Sequence, residues 1–448
     1  MQTKNDTGED SGQGPTARIL NVVAKIEAHE IRATFASFML ALVLMTAYYI
    51  LRPVRDAMAS DWSDAEVAVL WTINFFFSFV VVAIYGAAVS RVSLKNLVPG
   101  VYGFFALTFA GFFFMSQGLS DTVFVDKAFY VWVSLFSLFP LSVFWSLMAD
   151  LYTTEQSKRL FGVITTGASV GAMVGPSITL LLTDIVGTYS LMLVASVVLM
   201  GTLPVIYYLE RLKVSVLGNT DGSQNVGAVQ SVGGNPLAGF KLFLQNPLLL
   251  GIGLFLFCYT GIGSFVYFEL KNLMAEFSRA ERTEYWAIMD LVTNTLTIVA
   301  GLFVTSRLAT RLGLGATLAV IPLIVMLGML SVAMVPALSI VVGLQVVRRG
   351  GNYAITRPAR EMLYTHFDRE TRFKAKQVID VVVYRGGDVF WGWAFTGLTQ
   401  VVGLGMVGVA AVGGVIAAIW AAIGWLVGVR AEALSEVRTQ ETKDNTDR

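Results

Sequence analysis

Long apolar runs alternate with short polar segments along most of the chain. Each run is close to the roughly 20 apolar residues that an α-helix needs to cross a bilayer. The runs lie near residues 33–53, 66–88, 97–117, 128–151, 161–183, 188–208, 247–268, 284–304, 315–336, 338–356, 377–400 and 404–428. This pattern predicts an all-α integral membrane protein with twelve transmembrane helices.

The composition agrees with a membrane protein and offers little for catalysis. Hydrophobic residues make up 55% of the 448 positions and charged residues 14%, whereas a soluble protein carries about 25% charged residues. Cys258 is the only cysteine, and the two histidines, His29 and His366, are far apart in the sequence. There is no nucleophile–base pair and no phosphate-binding loop. We therefore expect no enzyme activity, cofactor, metal site or nucleic-acid partner.

Positive charge is distributed unevenly between the predicted loops. The even-numbered loops and both terminal segments are rich in lysine and arginine, whereas the odd-numbered loops hold only Lys127, Arg279 and Arg282 apart from residues at the membrane edge. By the positive-inside rule, both termini are cytoplasmic and the number of spans is even. We expect a multi-pass protein of the bacterial inner membrane, with an amphipathic surface helix over residues 16–30.

A polar, glycine-rich segment over residues 214–240 divides the apolar runs six and six. At an offset of 220 residues, Asn74 falls on Asn294 and Arg91 on Arg311. Two six-helix halves in parallel repeat are typical of alternating-access transporters with a site between the halves. The predicted domains are a cytoplasmic tail over 1–30, bundles over 31–210 and 246–430, a linker over 211–245 and a second tail over 431–448.

The loop between the second and third runs contains Gly86, Arg91 and Lys95. With these residues it resembles the corresponding loop of the major facilitator superfamily, but Ser90 and Thr310 replace the superfamily's acidic residue in the two halves. The resemblance implies a major-facilitator-like fold with a pseudo-twofold repeat. The residues that we expect to contribute to gating loops are Arg91, Lys95, Arg311, Glu155, Lys158 and Arg159.

The fifth run contains glycines at regular spacing. Gly162, Gly171, Gly175 and Pro176 have the spacing of the superfamily's antiporter motif, although the trailing glycines are absent. With Gly167, they also form the small-xxx-small pattern that lets two helices pack closely. We favour the packing interpretation over a role in exchange.

Arginines within the apolar runs are the main candidates for function. A charged side chain near the bilayer centre costs about 2.5–3.5 kcal/mol on insertion scales and normally faces a cavity or a partner. We predict an anion site formed by Arg52, Arg55, Arg349 and Arg385. The alternative for the first two is that they extend to the outer interface. Adjacent Arg348 and Arg349 diverge by about 100°, so we expect only one to face the cavity and one to pair with an acidic residue.

Other polar residues of the runs complete the predicted site. We expect Tyr49, Tyr353, Tyr384, Asn74 and Asn294 to contribute to substrate binding. Carboxylates for coupling or charge balance are Asp56, Glu269, Asp290, Asp380 and Asp388. For Asp290 a proton- or cation-coupling role and a structural ion pair with an arginine both remain open. Asp380, Tyr384 and Asp388 follow helical spacing on one face, and Pro53 is expected to kink or end the first helix.

Three segments carry a closer resemblance. They are Tyr49 to Asp56, then Phe144-Trp145 followed by Thr153, Glu155, Lys158 and Arg159, and finally Lys374, Lys376, Asp380 and Arg385. Together they resemble the bacterial and plastidic ATP:ADP antiporter family. The resemblance implies nucleotide exchange, with basic residues binding phosphates and no ATP hydrolysis. Arg55 replaces the usual lysine, and Arg-Gly-Gly-Asp at 385–388 replaces a Lys-Ser-Gly-Gly-like run.

We therefore predict a monomeric carrier that exchanges or co-transports a small organic anion, such as ATP or ADP or another phosphorylated metabolite. One alternative is a proton-coupled exporter of drug-like or metabolite substrates, in which Asp290 carries the proton. A second alternative is a non-transporting scaffold or sensor that keeps the carrier fold, with its intramembrane charges satisfied as closed salt bridges.

Overall fold

The computed structural model describes residues 26–89, 91–215, 237–303, 305–368, 371, 374–376 and 378–446. Most of the predicted surface helix over 16–30 lies outside these residues, as do Ser90 and most of the 211–245 linker. The described residues form helices and no strand, which confirms the predicted all-α class.

Twelve helical segments, α1 to α12, correspond to the twelve predicted spans. In chain order they are α1 Ile31–Met58, α2 Asp64–Val89, α3 Leu94–Gly118, α4 Val123–Phe136 with Phe139–Leu151, α5 Thr154–Val186, α6 Ser190–Met200 with Thr202–Ser215, α7 Pro247–Leu273, α8 Arg279–Phe303, α9 Thr305–Met334, α10 Leu338–Gly351 with Asn352–Thr356 and Arg357–Leu363, α11 Val378–Val383 with Tyr384–Thr396 and Gly397–Val401, and α12 Met406–Thr446. A short helix, Leu237–Gln245, precedes α7. We call α1–α6 the first half and α7–α12 the second half.

Nine helices of the described chain are long and apolar enough to cross a membrane. The other three are α8, α10 and α11, and each carries charged residues within its span; they are Asp290, then Arg348 and Arg349, then Arg385 and Asp388. These three helices belong to the second half, and each contributes to the cavity described below. The departure from a simple apolar span therefore coincides with the polar centre of the protein.

Some helix boundaries and turns differ from the sequence prediction. Pro53 does not end α1, which continues as α-helix to Met58, and α12 continues past residue 430 to Thr446. Both α10 and α11 contain π-helical turns, over Asn352–Thr356 and Val378–Val383. A π-turn holds one residue more than an α-turn, so it shifts the face on which later side chains lie.

The glycines of α5 bring this helix into close contact with α1. A Cβ atom at Gly167 or Gly171 would lie 2.3 Å from a backbone oxygen of α1, and one at Gly175 would lie 2.6 Å from the Tyr49 Cβ. Only glycine allows this approach, because any side chain would overlap the neighbouring backbone. Nothing lies within 4 Å of the Gly162 position. The contacts support the packing interpretation for three of the glycines.

Candidate functional site

A polar cavity of about 180 Å³ lies between the two halves. Its lining comes from α1, α2 and α4 of the first half and from α7, α8, α10 and α11 of the second half. The lining residues are Arg52, Arg55, Asp56, Trp71, Asn74, Phe75, Tyr130, Ser134, Tyr259, Thr260, Gly263, Ser264, Tyr267, Trp286, Gln345, Arg348, Arg349, Tyr353, Tyr384, Arg385 and Asp388. The four arginines that the sequence singled out are thus brought together in one cavity, with a fifth beside them.

The arginines of α1 face this cavity and do not extend to the outer interface. Arg55 donates to Asp56 Oδ1 through Nε at 2.9 Å and Nη2 at 2.6 Å, and its Nη1 donates to Ser134 Oγ at 3.3 Å. Arg52 Nε lies 3.7 Å from Asp56 Oδ2, one helical turn away. Both guanidinium groups are therefore held at the cavity wall by the same carboxylate.

Asp290 joins the two halves directly behind the cavity wall. Its Oδ1 accepts a hydrogen bond from Arg349 Nη1 of α10 at 2.6 Å and lies 3.3 Å from Arg52 Nη1 of α1. The residue is only 1% exposed, so its single negative charge is shared by two arginines in a region without bulk water. This is the ion pair with an acidic residue that the sequence predicted for one arginine of α10.

The prediction that only one of the adjacent arginines faces the cavity is wrong. Arg348 also lines it. The Cβ atoms of the two arginines point about 100° apart, but an arginine side chain is long enough to reach the cavity from either direction. Arg348 donates to Gln345 Oε1 at 2.7 Å, and its guanidinium lies over the Tyr259 ring, 5.4 Å from the centroid. Gly263 leaves room for it, because a Cβ there would lie 3.0 Å from Arg348 Nη1.

In α11 the predicted face is only partly preserved. Tyr384, Arg385 and Asp388 line the cavity, but Asp380 lies away from it and pairs with Arg360 at 3.4 Å. The π-turn over Val378–Val383 adds a residue between Asp380 and the following α-helix, which changes the face on which Asp380 lies. Asp380 is therefore a partner of α10 rather than a component of the cavity.

The remaining predicted site residues divide into two groups. Tyr353 and Asn74 line the cavity. Tyr49 and Asn294 do not line it: the Tyr49 hydroxyl donates to Asn294 Oδ1 at 3.4 Å, and Asn294 Nδ2 donates to the Ala172 carbonyl of α5 at 2.9 Å. These two residues join α1, α8 and α5 and thereby connect the halves beside the site.

An aromatic cluster that the sequence did not reveal closes the cavity on one side. Trp71 Nε1 donates to the Tyr130 hydroxyl at 2.7 Å, and Tyr130 and Tyr267 share a hydrogen bond of 3.0 Å between their hydroxyls. The Tyr267 hydroxyl also donates to Asp56 Oδ1 at 3.4 Å. In the sequence these residues resemble ordinary lipid-facing aromatics, so no local signal marks them.

Ion pairs between the halves lie at the end of the molecule where α1 leads into α2, which we call the closed end. Asp61 pairs with Arg279 at 2.6 Å and also with Arg282, both from α8. Asp126 of α4 pairs with the same Arg279 at 3.0 Å. The two arginines of the odd-numbered loops, which hold little other positive charge, therefore bind carboxylates of the opposite half.

Lys271 and Glu269 of α7 lie near the same end. Lys271 is 1% exposed, pairs with Asp64 at 2.8 Å and donates to the Trp62 carbonyl at 3.0 Å. Glu269 is buried and does not belong to the cavity lining. The negative charge of Asp64 interacts electrostatically with its carboxyl group. Glu269 therefore belongs to the closed end rather than to the cavity.

At the opposite end, the described ion pairs join residues of the same half. Arg159 at the start of α5 pairs with Glu30 at 2.8 Å and with Glu27 at 3.3 Å. Burial tends to raise the pKa of Glu30, but the Glu27 backbone N–H and Arg159 outweigh it and lower this pKa. The other predicted gating residues are exposed there; they are Arg91, Lys95, Arg311, Glu155 and Lys158.

The charges of the cavity do not balance. Five arginines line it, whereas the carboxylates that face or contact them are Asp56, Asp388 and Asp290. The excess is two positive charges in a region largely removed from water. Guanidinium groups present paired N–H donors that match phosphate and carboxylate oxygens, so the site is suited to an anion that carries about two negative charges.

Comparison with known proteins agrees with the fold. The family model of the Major Facilitator Superfamily matches residues 34–364. No curated protein matches the chain in sequence. Among solved structures, a bacterial homologue of the human lysosomal transporter Spinster, in an inward-facing and unoccupied conformation, is 14% identical with a TM-score of 0.56, covering 91% of this chain and 98% of that chain.

Two further structures are similar to the same degree. The xylose transporter XylE from E. coli, in an inward open conformation, is 13% identical with a TM-score of 0.61, covering 88% of this chain and 95% of that chain. A POT family transporter in complex with a thioalcohol-conjugated peptide is 11% identical with a TM-score of 0.62, covering 89% and 96%. The chain therefore belongs to the major facilitator superfamily and has the fold of a multi-pass secondary transporter.

Proposed function

We propose that the protein exchanges a compact, doubly charged organic anion, most simply a phosphorylated metabolite, by alternating access. The observation that carries the proposal is the cavity between the halves, with five arginines and an excess of two positive charges. A phosphate monoester carries close to two negative charges at neutral pH. It would neutralise the cavity and could bind arginines of both halves at once.

The same charge excess favours exchange over one-way transport. During alternating access, the cavity is closed off from water at both ends for a moment. An empty cavity would then hold two uncompensated charges in a low-dielectric region, which is costly. A bound dianion removes that excess. The loaded carrier therefore changes conformation more readily than the empty one, and each half-cycle needs an anion.

The cavity volume bears on the size of the substrate. Pockets that enclose drug-sized ligands measure about 300–1,000 Å³, whereas this cavity measures about 180 Å³. In this conformation it fits a compact phosphorylated metabolite better than a whole nucleotide. ATP and ADP, to which the sequence resemblance points, would require the halves to separate further.

The membrane arrangement follows the predictions from the loops. We infer a monomer in the bacterial inner membrane with both termini in the cytoplasm, two bundles over 31–210 and 246–430, and a linker over 211–245. In this orientation the closed end faces the periplasm. The Asp61 ion pairs then form the outer gate, and the structure corresponds to a state in which the cytoplasmic side is the next to open.

Exchange in proteoliposomes tests the proposal. Vesicles with purified full-length protein are loaded with inorganic phosphate or left without counter-anion, and the uptake of labelled phosphate, a sugar phosphate, ADP and ATP is measured. We expect uptake that requires internal anion and is stronger for the compact anions. At a low external anion concentration, Arg385→Gln should reduce this uptake strongly, whereas Arg430→Gln, which removes an exposed arginine of α12, should not. The proposal fails if no phosphorylated compound enters under exchange or under a proton gradient.

A proton-coupled exporter is the second candidate. Asp388 lines the cavity and has no ion pair within 4.0 Å among the residues that the structure describes. A carboxylate in such a position can bind and release a proton during transport. This function predicts transport of substrates without phosphate that stops when a protonophore dissipates the gradient and in Asp388→Asn. Anion exchange predicts transport that persists with the protonophore.

A further inference from the structure

The five cavity arginines differ in what already binds them. Arg52 and Arg349 share Asp290, and Arg55 is bound by Asp56 through two hydrogen bonds. An anion that binds one of these three must compete with a carboxylate that is already in place. Such a replacement exchanges one ion pair for another and yields little net free energy.

Two arginines have no carboxylate within ion-pair distance among the described residues. Within the described part of the chain, the hydrogen bonds of the Arg348 guanidinium go to the neutral Gln345 amide oxygen, and the group lies over an aromatic ring. Arg385 has no ion pair or hydrogen bond to any residue in the described ranges, and Asp388, one turn further along α11, lies beyond the 4.0 Å limit of an ion pair. Both guanidinium groups line the cavity. The charge of Asp388 acts on both through space, but an incoming anion has no ion-paired carboxylate to displace from either.

Asp290 is bound by arginines of both halves in this state. One of its oxygens is bound by an arginine from each half, as an oxygen of a bridging phosphate would be. Arg52 Nε and Arg349 Nη2 are buried and have no hydrogen-bond acceptor among the described residues. The bridged pair therefore retains N–H groups that a second set of anion oxygens can use.

We propose that Arg348 and Arg385 capture the substrate anion, and that Asp290 is an internal counter-anion that holds Arg52 and Arg349 until the bound anion takes over. Capture would occur on the second half, since both capturing arginines belong to it. Transfer of Arg52 from Asp290 to the anion then links the first half to the substrate. This inference rests on the anion exchange proposed above and names the residues that perform its two steps.

The two steps predict different kinetic defects. Loss of a capturing arginine weakens the first encounter, so the half-saturating anion concentration rises. Loss of Arg52 leaves capture intact but removes the link between the halves, so the maximal exchange rate falls. In Asp290→Asn both bridged arginines become available to the anion. That variant should bind the anion more tightly and release it more slowly.

The experiment measures exchange of labelled inorganic phosphate in proteoliposomes loaded with phosphate, over a range of external concentrations. The variants are Arg348→Gln, Arg385→Gln, Arg52→Gln and Asp290→Asn, with the exposed Arg430→Gln as control. We expect the first two to raise the half-saturating concentration at least tenfold. Arg52→Gln should lower the maximal rate at least tenfold with a less than threefold change in half-saturation. Asp290→Asn should lower both quantities.

The outcomes separate this inference from the function on which it rests. If the wild type exchanges phosphate but Arg52→Gln raises the half-saturating concentration as much as Arg385→Gln does, the assignment of capture is overturned. If the wild type exchanges neither phosphate nor a sugar phosphate, the proposed function is overturned as well. Arg348→Lys keeps the positive charge but lacks the paired N–H donors of a guanidinium group. Its half-saturating concentration should lie between those of the wild type and Arg348→Gln. Size-exclusion profiles confirm that each variant is folded.

Discussion

The ion pairs of the closed end predict how the conformational equilibrium responds to one substitution. Asp61 follows α1 of the first half and pairs with Arg279 and Arg282 of the second half. Asp61→Asn keeps the size of the side chain but removes the charge that attracts both arginines. The closed end should then open more often, because these contacts exist only while the halves meet there.

The magnitude follows from how exposed the partners are. Asp61 and Arg279 side chains are 32% and 28% exposed, whereas Arg282 is 7% exposed. Exposed ion pairs contribute about 0.2–1 kcal/mol each, and partly buried ones somewhat more. Loss of both pairs should therefore cost about 1–2 kcal/mol. This corresponds to an increase of about 5- to 30-fold in the ratio of open to closed molecules at this end.

Distances between spin labels measure that ratio. Labels at Leu119→Cys and Glu276→Cys, both exposed at the closed end, report the separation of the halves once the buried Cys258 is replaced by serine. Asp61→Asn should increase the population at long distance. The matched control is Glu66→Gln, which removes an ion pair of 2.7 Å to Lys127 at the same end but within the first half.

The reasoning is refuted if Asp61→Asn leaves the distance distribution of the wild type unchanged. It is also refuted if Glu66→Gln shifts the distribution equally, since the effect would then come from charge at this end in general. High salt offers an independent measurement, because it screens exposed ion pairs. It should move the wild type part of the way toward the Asp61→Asn distribution and have a smaller effect on that variant, which keeps the Asp126 pair with Arg279.

Three further substitutions test other parts of the structure. Gly171→Ala should lower the free energy of unfolding by about 1–3 kcal/mol or more, because the added Cβ would lie 2.3 Å from a carbonyl oxygen of α1. The control is Gly111→Ala, since nothing lies within 4 Å of a Cβ at that position. Equal melting temperatures for the two variants would contradict the contact. Gly263→Ala should raise the half-saturating anion concentration a few-fold without loss of charge, because its Cβ would lie 3.0 Å from Arg348 Nη1, and phosphate exchange measures it. Burial by itself would raise the pKa of Glu30, but the Glu27 backbone N–H and Arg159 outweigh it and lower this pKa below the ordinary 4.5. The stability that this carboxylate contributes is therefore present above about pH 4.5 and lost as the pH falls through the lowered pKa. Glu30→Gln should melt lower than the wild type at pH 7, and the two curves should converge in acid; a constant difference at all pH values would argue against the pair.

The number of spans and the presence of a buried cationic site could be predicted from the sequence. About 20 apolar residues form a membrane-crossing helix whatever their neighbours are, and α1 to α12 lie where the apolar runs are. The arginines of α1, α10 and α11 were recognisable because a charge inside an apolar run is costly unless it faces something polar. The glycine spacing of α5 was equally local, since close packing needs small residues at every fourth position.

Asp56 pairs with Arg52 and Arg55 of its own helix, but the partners of Asp290 and Asp380 could not be predicted from spacing within one helix. Asp290 is an isolated carboxylate in the sequence, and only the meeting of α1, α8 and α10 gives it two arginines. Asp380 was expected at the cavity, but a π-turn places it against Arg360. A π-turn depends on the packing of the helix as a whole, so the i, i+4, i+8 rule fails there.

By itself, the sequence determined that the chain crosses the membrane repeatedly and carries arginines that must share a polar interior, because both follow from the transfer of single helices into lipid. The tertiary structure decided which arginines are bound and which are available. It placed Arg348 in the cavity beside Arg385 and gave Asp290 to Arg52 and Arg349. The physical reason is distance: ion pairs act over a few ångströms between helices that are far apart in the chain, and a residue's own helix does not determine its partner.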